Sequence, residues 1–202
     1  MDPDEEKSPL EIQPTEIKGS WDAGYVLDRH TISSTMIGYN EYGHPEFDTQ
    51  RSPLGELVYR LKYKGDKNAI PSIVEAVVLF LRGRAIEADV LVPMPPSKVH
   101  RAYQPVIEIA SELSKTLKIA LDTASLRKRT ITPQMKDIGD YAARVAVLET
   151  AFDVSKDLEG KRILLIDDLL QSGATMNVVA KTLKEQGQAK AVYVIALTRT
   201  RS

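Results

Sequence analysis

The chain has 202 residues, of which 43% are apolar and 27% charged, with 27 Lys and Arg set against 28 Asp and Glu and no cysteine. Such a length is enough for one full core, and the composition is that of an ordinary globular domain. The near-neutral charge excludes a global basic field for bulk nucleic-acid binding, and the lack of cysteine excludes disulfides, thiol catalysis and cysteine zinc sites.

The first residues, Met1-Asp2-Pro3-Asp4-Glu5-Glu6, are acidic where a secretory leader needs positive charge, and no later apolar run is long enough for a membrane span, so the expectation is a cytoplasmic protein. Residues 1–18 carry three prolines and many acids without an apolar period and read as a solvated tail. Residues 19–50 change character. Tyr25, Val26, Leu27, Thr31, Ile32, Thr35, Met36 and Ile37 are strand formers, and Gly38, Asn40, Gly43 and Pro45 supply turns, which predicts a small β appendage or hood before a core over 51–202.

Ser52-Pro53 opens a helix with a hydroxyl cap and a proline in the first turn, its apolar face being Leu54, Leu57, Val58 and Leu61. A second helix over 69–82 is apolar almost all round and so must be deeply buried. Val90-Leu91-Val92-Pro93 is a short core strand, and Met94-Pro95-Pro96-Ser97-Lys98 is a turn that three prolines in a row of six keep from extending it. Val106, Ile109, Ala110, Leu113 and Leu117 mark a third helix, followed by a strand near 119–121. Residues 127–140 have no usable period and many cations, and read as a long loop of the kind that forms lids.

Ile163 to Ile166 is a strand buried on both faces, and it runs into Asp167 and Asp168. Ser172, Gly173 and Thr175 follow, then a helix striped by Met176, Val179, Ala180 and Leu183, and a last apolar strand over 191–197. Strands alternating with helices imply a mostly parallel sheet with right-handed crossovers. A strand–turn–helix unit of this kind aims backbone N–H groups and a helix dipole at one spot, which suits a phosphate. The adjacent acids suit vicinal sugar hydroxyls or a magnesium ion. In such sheets ligands bind beyond the carboxyl ends of the strands, where the proline turn and the cationic loop are also expected.

Ile-Leu-Leu-Ile-Asp-Asp-Leu-Leu-Gln-Ser-Gly-Ala-Thr at 163–175 resembles the phosphoribosyl pyrophosphate signature of type I phosphoribosyltransferases. Val92-Pro93-Met94-Pro95, Arg101-Ala102-Tyr103-Gln104, the pattern of residues 126–134 with Arg144 and Phe152, and Arg60-Leu61-Lys62-Tyr63-Lys64-Gly65-Asp66 narrow the resemblance to the ComF-like branch, over about residues 51–200. The resemblance implies an α/β, Rossmann-like, mostly parallel sheet flanked by helices, and a glycosyltransferase that binds 5-phosphoribosyl 1-pyrophosphate (PRPP) with magnesium. It implies that phosphoribose passes to a nitrogen acceptor as pyrophosphate leaves.

Residue by residue, it implies that Asp167 and Asp168 hold the ribose hydroxyls, directly or through metal. Gln171, Ser172, Gly173, Ala174 and Thr175 would hold the 5-phosphate, and Pro95, Pro96, Ser97 and Lys98 would meet the pyrophosphate. Arg127, Lys128 and Arg129 would close over the leaving group, with Arg101, Tyr103, Gln134 and Arg144 at the acceptor or lid. Magnesium would arrive on the ligand, with Asp167 and Asp168 as its nearest carboxylates. Two departures stand out: Gln171 replaces the usual Thr or Ser, and no cysteine zinc ribbon precedes the core. Trp21 to Phe47 occupies that region instead.

Other readings stand beside this one. Paired aspartates after a strand also occur in receiver domains, against which the Ser-Gly-Ala-Thr turn argues. Arg127-Lys128-Arg129 also reads as a solvated charge run, Arg101 as a surface ion-pair partner, Trp21 and Tyr25 as core, and Tyr103 as hood packing. His30, His44 and His100 lack metal spacing. A non-catalytic PRPP sensor, a ComF-like partner in DNA uptake or processing, and a nucleotide hydrolase would use the same pocket. A homodimer is compatible with the family, and a membrane partner is not expected.

Overall fold

The computed structural model describes residues 9–96, 103–129 and 140–200. Among them a six-stranded sheet runs in the order β1-β2-β10-β9-β5-β6. These strands are β1 (Thr15–Glu16), β2 (Ala23–Arg29), β5 (Val90–Pro93), β6 (Ala120–Leu121), β9 (Arg162–Leu170) and β10 (Ala191–Arg199). Every pairing is parallel except that of β1 with β2 at one edge. Two antiparallel hairpins stand apart from it: β3 (Ser33–Tyr39) with β4 (Pro45–Gln50), and β7 (Leu126–Lys128) with β8 (Phe152–Val154).

Strand alternation sorts the core into two layers. Ile163 and Leu165 of β9, with Val192, Val194 and Ala196 of β10, pack on one face against α4 (Tyr141–Leu148) and α5 (Ala174–Glu185). Leu164, Ile166, Ile195 and Leu197 face the other way, against α1 (Pro53–Tyr59), α2 (Ile70–Gly83) and α3 (Pro105–Leu117). Both faces of β9 and β10 are therefore covered, which is why their sequences are continuous apolar runs rather than alternating ones. The cap at Ser52 forms as the sequence predicts, its hydroxyl accepting from the Gly55 amide at 3.0 Å.

The structure differs from the sequence reading in four places. Residues 1–8 of the expected tail lie outside the described residues. Within the rest of it, Leu10 and Ile12 pack against the α1–α3 layer and Thr15–Glu16 form an edge strand. In 19–50, β2 is part of the main sheet rather than an appendage. Val26 and Leu27 are buried because parallel pairing with β10 places them between the two layers, leaving only β3–β4 outside. The loop expected over 127–140 begins as a strand: Arg127 pairs with Asp153, Lys128 with Phe152, and the Arg129 amide donates to Ala151 O at 2.7 Å. Finally, β9 does not stop before its acids but continues to Leu170, held there by β10.

Trp21, expected in the core, is half-buried against the α4–α5 layer and donates from Nε1 to Ile17 O at 2.9 Å. Its indole lies so close to Gly24 that a Cβ there would fall 2.2 Å from Nε1.

Candidate functional site

Because β9 extends through both aspartates, their carboxylates leave opposite faces of the sheet. Asp167 lies on the face of Ile163 and Leu165, toward α5, and Asp168 on the face of Leu164 and Ile166. Asp167 Oδ1 accepts the Asp168 amide at 2.8 Å. Burial, and then repulsion from the adjacent Asp168 carboxylate, pushes the Asp167 acid well above the usual carboxylate range.

Asp168 is buried and has a partner outside the predicted site residues. Lys62 Nζ lies 2.7 Å from Asp168 Oδ2. The lysine comes from a π-helical turn, Arg60–Lys64, that continues α1 and ends at Gly65 with φ +66°. Arg60 clamps Asp66 just beyond that turn. Behind Asp168, its carbonyl accepts the Thr198 hydroxyl at 3.1 Å, and Thr198 Oγ1 lies 3.1 Å from His30 Nδ1. The single hydroxyl proton of Thr198 is committed to Asp168, so His30 donates from Nδ1. Burial, reinforced by the Arg51 and Lys62 cations, holds the His30 pKa below its ordinary value.

After Leu170 the chain turns through Gln171, Ser172 and Gly173 into α5. Gly173 caps the helix with φ +77°, a left-handed conformation that a side chain disfavours even where there is room for one. Ser172 Oγ accepts the Ala174 amide at 3.4 Å. Gln171 and Ser172 are exposed, Gly173 and Thr175 half-buried and Ala174 buried. The first amides of α5 have no acceptor in their own helix, so this turn presents donors and the positive end of a dipole beside Asp167.

β5 lies beside β9, with the Met94 amide donating to Ile166 O at 2.8 Å, so the proline turn leaves the sheet next to the acids. A cavity of about 310 Å3 opens there, lined by Met94, Pro95, Pro96, Asp122, Arg127 and Lys128 among others. Two of the predicted loops are therefore brought together. The aspartates and the 171–175 turn do not line this cavity. Lys128 is half-buried, its pKa lowered by burial, and among the described residues no carboxylate pairs with it. Arg127 Nε donates to Ala124 O, and Arg129 forms an exposed ion pair with Asp153 at 3.2 Å.

Ser97, Lys98, Arg101, His100 and Gln134 lie outside the described residues. Arg144 is on α4, with its backbone amide on the Asp140 carbonyl. Tyr103 precedes α3 and packs against the α1–α3 layer with Lys67 Nζ 5.1 Å from its ring centre, and among the described residues its buried hydroxyl has no hydrogen-bond partner. That placement is next to the Lys62 turn rather than the cation-lined cavity. Among the described residues no group of three or more His, Asp or Glu could hold a metal by itself, and no helix is long and apolar enough to cross a membrane.

Residues 100–201, half of the chain, match the family model described as the phosphoribosyl transferase domain. The competence protein ComFC of Bacillus subtilis is 29% identical over 156 residues, 75% of this chain and 62% of that protein. Amidophosphoribosyltransferase 3, chloroplastic, of Arabidopsis thaliana is 27% identical over 112 residues, 55% of this chain and 20% of that protein. The chain thus spans less than two thirds of the length of these relatives. Among solved structures, the glutamine PRPP amidotransferase of B. subtilis complexed with ADP and GMP is 20% identical, with TM-score 0.48, over 93% of this chain and 43% of that one. Adenine phosphoribosyltransferase of Saccharomyces cerevisiae is 11% identical, with TM-score 0.47, over 84% of this chain and 85% of that one.

Proposed function

The chain belongs to the phosphoribosyl transferase domain family, in its ComF-like type I branch, and from that premise we propose that it binds PRPP with magnesium and transfers phosphoribose to a nitrogen acceptor. The observation that carries this reading is the turn 171–173 leading into α5 directly beyond Asp167 and Asp168, with the end of β5 alongside.

In this reading the amides and hydroxyls of Ser172 to Thr175 take the 5-phosphate, each charge-assisted bond being worth roughly 1.5–3 kcal/mol. Asp167 stands beside that turn and accepts from the ribose. Asp168, on the other face, reaches the ligand only where Lys62 lets it go, or else shares Lys62 with it. Pro95 and Pro96 form a rigid wall for the pyrophosphate, and Lys128, with Arg127, offsets its growing charge as the bond from the anomeric carbon to the pyrophosphate oxygen breaks. The acceptor nitrogen forms the new bond to that carbon and releases its proton. The protein supplies no nucleophile; it positions the partners and excludes water.

The donor set near β9 consists of carboxylate oxygens, hard ligands that fit magnesium carried on the pyrophosphate with Asp167 or Asp168 as a supplement. Such an ion would neutralise charge on the departing pyrophosphate. A cytoplasmic location accords with this substrate.

A second reading, a PRPP sensor without turnover, draws on one observation: the Lys62–Asp168 ion pair already engages one of the two carboxylates. Thermal melting with PRPP and magnesium, compared with ribose 5-phosphate and nucleotides, tests the ligand, because a bound ligand stabilises the fold by mass action. Release of pyrophosphate on adding amines or nitrogen bases indicates the transferase, release with water alone a hydrolase, and binding without release the sensor. No melting shift with any of these ligands would reject the site.

A further inference from the structure

A nitrogen acceptor is either an amine or a planar base, and the π-helical turn that carries Lys62 distinguishes them. π-Turns inside helices are rare and concentrate at functional sites. This one places two aromatic rings beside the ion pair. Tyr59, Lys62 and Tyr63 stand at i, i+3 and i+4, so they look out from one side of the helix. Lys62 marks where that side looks, since its Nζ meets Asp168 towards the end of β9. The rings stack in order. The Arg51 guanidinium lies 3.6 Å from the centre of the Tyr59 ring, and the Tyr59 and Tyr63 rings are 5.2 Å apart at 35°.

Arg51 is held by Glu56 at 3.4 Å, and in lying on Tyr59 it leaves its buried Nε without a hydrogen-bond partner among the described residues. An orphaned donor is a cost, so hydrogen bonding alone does not account for the stack. Tyr59 is half-buried, whereas Tyr63 at the top is 59% exposed. Three planar groups thus end in one ring that the described residues leave open. Its position suits an entering group. The strands run β2-β10-β9-β5, and the turn after β5, where the pyrophosphate is assigned, lies on one side of the acids. α1 packs on β2 and β10, on the other side. The Arg51, Lys62 and Asp168 charges all bear on His30, just past β2, so the foot of the stack and the ion pair lie about one ring. A nucleophile enters opposite the bond that breaks, which brings the acceptor in over this side.

We propose that Tyr63 is the stacking platform for the acceptor, and that the acceptor is a planar nitrogen heterocycle of the nucleobase class rather than ammonia or an aliphatic amine. This rests on the phosphoribosyl site proposed above and adds the class of its second substrate. Arg51 and Tyr59 are positioning residues that hold the platform from beneath, and Tyr63 touches the base. An aromatic face rewards any flat π-system and gives an amine nothing comparable. Stacking is also tolerant of base identity, so the platform selects the class and not one base.

The test is titration calorimetry of the full chain with magnesium, comparing ribose 5-phosphate with the 5-monophosphates of adenosine, inosine and uridine, which add a base to it. The nucleotides are expected to bind roughly tenfold to a hundredfold tighter. Tyr63→Ala removes most of that gain and leaves the affinity for ribose 5-phosphate unchanged, while Tyr63→Phe keeps the gain. The wild-type comparison does not depend on any variant folding. In turnover, pyrophosphate release from PRPP is expected with adenine, hypoxanthine or uracil and not with ammonium or ethanolamine. Several results would overturn the inference and leave the phosphoribosyl site standing: ribose 5-phosphate binding as tightly as the nucleotides, equal losses for both in Tyr63→Ala, a phenylalanine variant as impaired as the alanine one, or release with ammonium and no base. Single-stranded DNA bound through Tyr63, with no preference for the monophosphates, would overturn it too. Failure of PRPP, ribose 5-phosphate and the nucleotides alike to bind would remove the phosphoribosyl site and the inference with it.

Discussion

Lys62→Met isolates the ion pair that holds Asp168. Methionine keeps most of the apolar stem and removes only the ammonium, 2.7 Å from Asp168 Oδ2. The two side chains are 22% and 11% exposed, both well under a third, so the interaction is not a freely screened surface pair. Removing one member of a fully buried pair costs about 3–5 kcal/mol, and a charge-assisted hydrogen bond contributes about 1.5–3 kcal/mol. Since water can partly replace the ammonium on the open side of Lys62, the lower range applies, and about 2 kcal/mol is expected. For a chain of this size each kcal/mol shifts Tm by about 2–4 °C, giving a fall of about 4–8 °C by scanning calorimetry at neutral pH. Asp168→Asn with Lys62→Met completes a double-mutant cycle, which should be non-additive because each change removes the same contact. An unchanged Tm in Lys62→Met, or two effects that simply add, would refute the assignment of Lys62 as the positioning partner of Asp168.

Asp167→Asn should raise Tm at neutral pH while reducing stabilisation by PRPP and magnesium. The folded-state pKa of Asp167 is raised, so its contribution is most favourable below the unfolded value of about 3.9 and is lost as pH rises towards the folded value. The gain in Asn should therefore vanish in melts run at acid pH, and a gain independent of pH would contradict the raised pKa of Asp167. Gly173→Ala should cost about 1–2 kcal/mol through its positive φ alone, since the nearest atom to an added Cβ is Leu170 Cδ1 at 3.7 Å; denaturant melts check this, with Asn expected to cost less. Lys128→Ala should spare ribose 5-phosphate binding and weaken the additional affinity for PRPP by titration calorimetry, with equal losses for both ligands excluding contact with the pyrophosphate. Arg129→Ala should act in the same direction and change stability by less than about 1 kcal/mol, because its pair with Asp153 is exposed.

Periodicity carried the helices and the two inner strands because their partners cover them evenly. Ile163 to Ile166 and Ala191 to Leu197 are apolar without interruption, and both are sandwiched between helical layers. The end of β9 was not legible for the same reason in reverse. Carboxylates break an apolar run, yet β10 goes on pairing through Leu169 and Leu170, so Asp167 and Asp168 are strand residues. β2 reads as part of an appendage because Tyr25 to Leu27 is too short to show that both faces are buried; only its distant pairing with β10 makes it core. Lys62 belonged to a recognised segment, but nothing local connects it with Asp168. That contact depends on the π-helical turn that carries α1 past its regular end, and on the packing of this layer against β9.

Strand parity then gives the two aspartates different work, although they look equivalent as neighbours in sequence. Asp168 is paired within the protein with Lys62 and tied through its carbonyl and Thr198 to His30, so it links the ends of β9 and β10 to the α1 layer. Asp167 has no cation in hydrogen-bond reach among the described residues, and both burial and its neighbour oppose its ionisation. A half-buried acid whose ionisation is opposed, beside a turn that presents the first amides of a helix, is poorly explained as a packing residue, because a small apolar side chain would fold more stably there. It is well explained as a group whose partner comes with the ligand. Of the pair, Asp167 is therefore the residue whose loss should separate binding from stability, and Asp168 the one whose loss should reduce both.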